Sequence, residues 1–191
     1  MTRFLITGLP RSRTAWFTAA AHIVPGAICR HEPLICLQPG LSLSSLWDLP
    51  RYEHVGASDS VLSLHLPQLF DEMPDLRVLV IERDIKAIEA SIARLGLQRS
   101  KILEIMMRRL VPYRSHPNVK WVQFDQIGGC IEDCLLHLMP GVEIDWRKLY
   151  EFLQLNIQTD YRKRAAQALA RADDYEFLLG AEALSELRTL Q

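Results

Sequence analysis

The chain has 191 residues, 49% of them hydrophobic, and a formal net charge of −1. That is enough apolar side chain for one core, so a single domain over 1–191 is expected, and no global field recruits nucleic acid. The four cysteines, Cys29, Cys36, Cys130 and Cys134, show neither a secreted disulfide framework nor paired Cys-x2-Cys zinc knuckles.

Arg3 to Thr7 reads as a short apolar strand that runs into the loop Gly8-Leu9-Pro10-Arg11-Ser12-Arg13-Thr14-Ala15. A helix is predicted from about Thr14, with Trp16, Phe17, Ala20 and Ile23 at helix-face spacing, until Pro25-Gly26 stops it. Ala27 to Arg30 is a second strand, ending at His31-Glu32-Pro33. The irregular stretch Leu34 to Pro50 is expected to be a lid or a substrate-facing insertion. A third strand is placed at Tyr52 to Ala57, with Ser58-Asp59-Ser60 at its end, and a helix at Leu62 to Met73.

Leu76 to Ile81 is apolar at every position but Arg77, as a central parallel strand requires. Glu82-Arg83-Asp84 follows it, then an amphipathic helix with Ile85, Ile88, Ile92 and Leu95 as its buried stripe. A helix over Ser100 to Val111 and a last strand at Val119 to Phe124 come next. Beyond that point the pattern is helical at Ile131 to Leu138, Trp146 to Leu153 and Thr159 to Leu169, with the Arg162-Lys163-Arg164 cluster in the last of these. Cys130 and Cys134, one helical turn apart, read as buried thiols. No signal peptide precedes the first strand and no apolar run nears the roughly 18 residues that span a bilayer, so a soluble cytoplasmic protein is expected.

Strands alternating with helices, then a helical C-terminal third, predict a three-layer α/β domain with a mainly parallel sheet. Ligands of such folds bind beyond the C-terminal strand ends. Arg11 to Thr14, His31-Glu32, Ser58-Asp59 and Arg83 all fall there. Strand, hydroxyl-rich loop and helix make an anion site, because the first N–H groups of a helix lack internal partners and carry partial positive charge. An ordinary nucleoside-triphosphate loop needs Gly, Lys and Ser or Thr where this chain has Arg13, Thr14 and Ala15.

The loop instead resembles the 5′-phosphosulfate loop of sulfotransferases that use 3′-phosphoadenosine-5′-phosphosulfate (PAPS), with its pattern Pro-(Lys/Arg)-Ser-Gly-Thr-Thr followed by Trp or Leu. Pro10, Arg11, Ser12, Thr14 and Trp16 match, whereas Arg13 replaces the usual Gly and Ala15 the second Thr. That family carries a second nucleotide element after a central strand, an arginine with a serine eight positions later. Arg83 and Ser91 have that spacing. Smaller matches are Leu64-His65-Leu66-Pro67 and the strand from Trp121 to Phe124-Asp125.

The resemblance implies a P-loop-type α/β fold and sulfuryl transfer from PAPS to a hydroxyl or amine acceptor, leaving 3′-phosphoadenosine-5′-phosphate (PAP), with no metal required. It assigns Arg11, Ser12, Arg13, Thr14, Ala15, Trp16, Arg83 and Ser91 to the nucleotide. Arg11 would contact the transferring group, while Ser12 and Thr14 would hold the 5′-phosphate. Arg83 and Ser91 would hold the 3′-phosphate. Trp16 either lies against adenine or packs the first helix, and Arg13 either points outward or reaches over the phosphates. Glu32, His65 and Asp59 compete for the general base, in that order. The expected partners are the nucleotide cosubstrate and an unknown acceptor, without nucleic acid or membrane insertion. Two other readings stay open: a diverged nucleotide-dependent small-molecule kinase needing Mg²⁺ and ATP, and a catalytically inactive nucleotide-binding protein of the same fold.

Overall fold

The computed structural model describes residues 1–38, 40–94 and 101–154. The expected helix at Thr159 to Leu169 and the Arg162-Lys163-Arg164 cluster lie outside the described residues. Five strands, β1 (Thr2–Gly8), β2 (Ala27–His31), β3 (His54–Ser58), β4 (Arg77–Glu82) and β5 (Val119–Gln123), form one sheet in the order β2-β3-β1-β4-β5. Every adjacent pair is parallel. Six α-helices accompany them among the described residues: α1 (Thr14–Ala21), α2 (Leu66–Glu72), α3 (Ile85–Ala93), α4 (Ile102–Leu110), α5 (Ile131–Leu138) and α6 (Trp146–Leu153).

Alternation along the strands divides the core into two faces, as a doubly covered parallel sheet requires. Phe4, Ile6, Leu79, Ile81 and Val122 pack with α1, α5 and α6 on one side. Leu5, Val55, Ala57, Val78 and Val80 pack with α2 and with Leu34, Leu37, Leu43, Leu46 and Trp47 on the other. The stretch expected as a lid is thus largely core. It forms two 3-10 turns, Pro33–Cys36 and Leu43–Trp47, and the Trp47 indole N–H donates to the Phe4 carbonyl at 2.9 Å.

The helix expected at Leu62 to Met73 is divided. A 3-10 turn covers Val61–His65 before α2 begins. Pro67 explains the break, since an α-helix running through it would need an N–H at Pro67 to bond the Ser63 carbonyl, and proline has none. β3 starts at His54 rather than Tyr52, two residues later than the sequence suggests. Cys130 and Cys134 are free thiols with their sulfurs 3.9 Å apart; Cys134 is buried as expected, whereas Cys130 is only partly buried. No helix among the described residues is long and apolar enough to cross a membrane.

The strand order fixes where a ligand can sit. β1 leads away toward β2 and β3, while its neighbour β4 leads the other way to β5. The chain therefore diverges between β1 and β4, opening a crevice beyond their C-terminal ends. Gly8 and Ile81 are register partners at that point. Gly8 has φ 146°, and a Cβ there would lie 2.4 Å from the Ile81 carbonyl oxygen. Only glycine lets the two strand ends approach so closely.

Candidate functional site

The loop after β1 holds Arg11 at φ 70° and Arg13 at φ 60°, both left-handed. Left-handed non-glycine residues cost about 1 kcal/mol each, so two within three residues mark a loop shaped by something other than backbone preference. Arg13 is the residue before α1, and its carbonyl accepts from the Phe17 N–H at 3.0 Å. A left-handed residue followed by helical ones turns successive N–H groups to one side, which makes an anion-binding concavity. Ser12, between the two arginines, is fully buried, and its hydroxyl has no hydrogen-bond partner among the described residues. An orphaned buried hydroxyl costs about 1 to 3 kcal/mol, and a bound oxyanion would satisfy it.

The second element meets the first. Arg83, just after β4, donates from Nη1 to the backbone carbonyl of Arg11. Arg11 in turn donates from Nε to Ser91 Oγ on α3 at 3.0 Å. Asp84 caps α3 by accepting from the Ala87 N–H at 2.9 Å, which fixes the turn that aims Arg83. Partial burial lowers the Arg83 pKa, and the charges of Arg11, Arg13 and Arg94 lower it further. The neighbours acting on Arg83 are three more cations, a costly arrangement that an anionic ligand relieves.

Phe124 joins this cluster. The guanidinium carbons of Arg83 and Arg13 lie 4.1 Å and 4.7 Å from its ring centroid, within cation–π range. Arg13 therefore reaches across the loop to the residue just after β5. Neither Phe124 nor Arg94 was assigned to the site from sequence. The signal available for Phe124 was an aromatic residue just after a parallel strand, at the ligand end of the sheet. Trp16 lies elsewhere: it is 8% exposed, with its ring centroid 5.0 Å from that of Phe152 and 6.0 Å from that of Phe17. Its visible role is core packing of α1. Thr14 is buried, and its carbonyl accepts from Ser58 Oγ and Thr18 Oγ1, each at 3.0 Å. Ala15 stands in the first turn of α1, where its small side chain leaves the N–H groups open.

Two of the three base candidates come together beyond β2 and β3. Glu32 is left-handed at φ 49° and donates its N–H to the Ser58 carbonyl at 2.7 Å. Since Ser58 Oγ bonds Thr14, two hydrogen bonds tie Glu32 to the start of α1. His31 Nε2 is 3.6 Å from Glu32 Oε1. Asp59 is 3% exposed and accepts from the Val61 N–H at 2.8 Å and the Leu34 N–H at 3.4 Å. Its backbone exchanges bonds with β1: the Asp59 N–H reaches the Ile6 carbonyl, and the Asp59 carbonyl accepts from Thr7 Oγ1 at 2.8 Å. Burial pushes the Asp59 carboxyl up to about 7 and the Glu32 charge adds to this, against the pull of the Val61 N–H. His65 ends the 3-10 turn Val61–His65, whose first N–H Asp59 accepts, and is half-buried beside Leu64, which packs on Leu9. No group of three or more His, Cys, Asp or Glu side chains able to hold a metal occurs among the described residues.

No protein-family model matches the sequence, and no curated protein matches it. Solved structures do. A gluconokinase from Sinorhizobium meliloti aligns with a TM-score of 0.50 at 16% identity, covering 72% of this chain and 91% of that one. A sugar kinase from a Janibacter species aligns at 0.51 and 12% identity, covering 73% and 96%. A sulfotransferase from Alicyclobacillus acidocaldarius aligns at 0.49 and 14% identity, covering 94% and 96%. At such identities likeness speaks to the fold, and the two kinase alignments carry it: the chain has a P-loop-type α/β fold with a fully parallel five-stranded sheet.

Proposed function

We propose that the chain is a PAPS-dependent sulfotransferase, a single domain that moves a sulfuryl group to a hydroxyl or amine acceptor. The observation that carries this reading is the chain of contacts from Arg83 to the Arg11 carbonyl and from Arg11 Nε to Ser91. An arginine and a serine matched to the 3′-phosphate by sequence spacing lie against the loop matched to the 5′-phosphate. An ATP site has no use for a second phosphate subsite of this kind.

PAPS supplies the activated sulfuryl group. On this reading Ser12 and the first N–H groups of α1 hold the 5′-phosphate, and Arg11 neutralises charge on the departing phosphate oxygen. Arg83 and Ser91 hold the 3′-phosphate. Glu32 takes the acceptor's proton, with His31 orienting it. Asp59 is sealed behind the Val61 and Leu34 N–H groups and sets the turn on which Glu32 stands. His65 remains the second candidate for the base.

The kinase reading is favoured by one observation, the gluconokinase and sugar-kinase alignments, and opposed by Arg13, Thr14 and Ala15 in place of Gly, Lys and Ser or Thr. Calorimetric titration with PAP, AMP, ADP and ATP plus Mg²⁺ separates the readings. Tight binding that requires the 3′-phosphate is expected. Preference for ATP with Mg²⁺ would make the chain a kinase, and PAP binding without turnover of PAPS across acceptors would make it a binding protein.

A further inference from the structure

Arg30 has no part in the reactions above, yet its placement is costly. Its Nε and Nη2 nitrogens are buried and have no hydrogen-bond partner among the described residues. Arg30 is the fourth residue of β2 and is paired in register with Ala57 of β3. Ala57 belongs to the core face covered by Leu34, Leu37 and Trp47, and so does Ile28, two residues before Arg30. Cys29, between them, belongs to the opposite face. By strand alternation the Arg30 side chain therefore leaves the sheet on the side roofed by the 33–47 segment.

A guanidinium with two dehydrated, unbonded nitrogens is a cost that better packing of a neutral side chain would avoid. The two orphaned nitrogens are the pair that form one edge of the guanidinium. Their N–H bonds run parallel, in the spacing that two oxygens of one carboxylate fill. The strand ends one residue later, and Glu32 follows at the C-terminal end of the sheet. β2 is an edge strand of the sheet among the described residues.

We propose that Arg30 is the anion-recognising residue of a second-ligand subsite, and that the acceptor is a hydroxy compound bearing a carboxylate. The carboxylate lies on the Nε–Nη2 edge and the hydroxyl extends toward Glu32. The position of the hydroxyl rests on the assignment of Glu32 above; the anion preference of Arg30 does not.

The test uses the full chain and two probes, 4-hydroxybenzoate and its neutral isostere 4-hydroxybenzamide, titrated with and without saturating PAP. The wild type should bind the acid at least about tenfold more tightly than the amide, the value of one charged hydrogen-bond pair. Arg30→Met should abolish that preference, leave PAP affinity unchanged and not lower the melting temperature. Arg30→Lys keeps the charge without the two-nitrogen edge and should lose most of the preference. Equal binding of acid and amide by the wild type overturns the proposal, and so does a preference that survives Arg30→Met. A marked loss of stability in Arg30→Met also overturns it, since the guanidinium would then be structural. Acid preference without PAP binding would remove the sulfotransferase reading and leave the Arg30 subsite standing.

Discussion

Arg83 holds the backbone of Arg11, 72 residues earlier in the chain, by donating from Nη1 to its carbonyl. The link joins the end of β4 to the loop after β1, across the point where the strand order diverges. It makes two segments, each unremarkable alone, into one cationic surface that also takes in Arg13 and Phe124.

Ser12→Ala should separate stability from binding. The buried hydroxyl has no partner among the described residues, so removing it should raise unfolding stability by about 1 kcal/mol. The same change should weaken PAP binding roughly tenfold, through one charge-assisted bond. Denaturant melts and calorimetry on one preparation read both. A destabilised variant would mean that the hydroxyl is already satisfied.

Arg13→Gly restores the residue of the sulfotransferase pattern at a left-handed position. Relief of backbone strain is offset by greater freedom of the unfolded chain, so stability should stay within about 1 kcal/mol of wild type. PAP affinity should fall about tenfold, and its dependence on salt should weaken, because one cation has gone. Unchanged affinity would place Arg13 outside the site.

Gly8→Ala should be among the most disruptive small substitutions. The added methyl would stand 2.4 Å from the Ile81 carbonyl oxygen, and a main-chain atom inside a sheet has little room to yield. Loss of several kcal/mol is expected, read as a large fall in melting temperature. A mild effect would show that β1 and β4 can separate at their ends without cost.

Asp59 gives the fold a pH dependence. Its carboxyl is raised from 3.8 to about 7 in the folded protein, so the native state holds a proton that the unfolded state has released. Stability from this group is fully present below about pH 4 and is lost as pH rises through about 7. Each unit of the shift corresponds to about 1.4 kcal/mol. Asp59→Asn keeps an acceptor for the Val61 N–H without the charge. It should flatten the stability profile across that window and exceed wild type at pH 8. Parallel profiles for the two proteins would contradict the assignment.

The parallel sheet was legible because β1 and β4 are short apolar runs at strand length, and the helices after them carry a clear helical period. Arg83 and Ser91 could be paired because their spacing is local, eight residues along one strand-to-helix unit. The contact of Arg83 with Arg11 could not be read, since it depends on β1 and β4 being neighbours, which no spacing encodes. Phe124 was missed for the same reason. Pro67 carried its own warning of a divided helix, which the reading of Leu62 to Met73 as one helix passed over. The core role of the 34–50 stretch was not legible because its leucines follow no regular period, although they fill the core. Arg30 gave no sequence signal at all, because an arginine in an edge strand is usually solvated.

The most direct measurement is the affinity of PAP relative to AMP, taken in the wild type and in Arg83→Ala. The wild type should prefer PAP by about a hundredfold, and Arg83→Ala should lose most of that preference while AMP binding falls by less than about tenfold. Equal losses for both nucleotides, or a wild type indifferent to the 3′-phosphate, would contradict the reading of Arg83, Arg11 and Ser91 as a 3′-phosphate site.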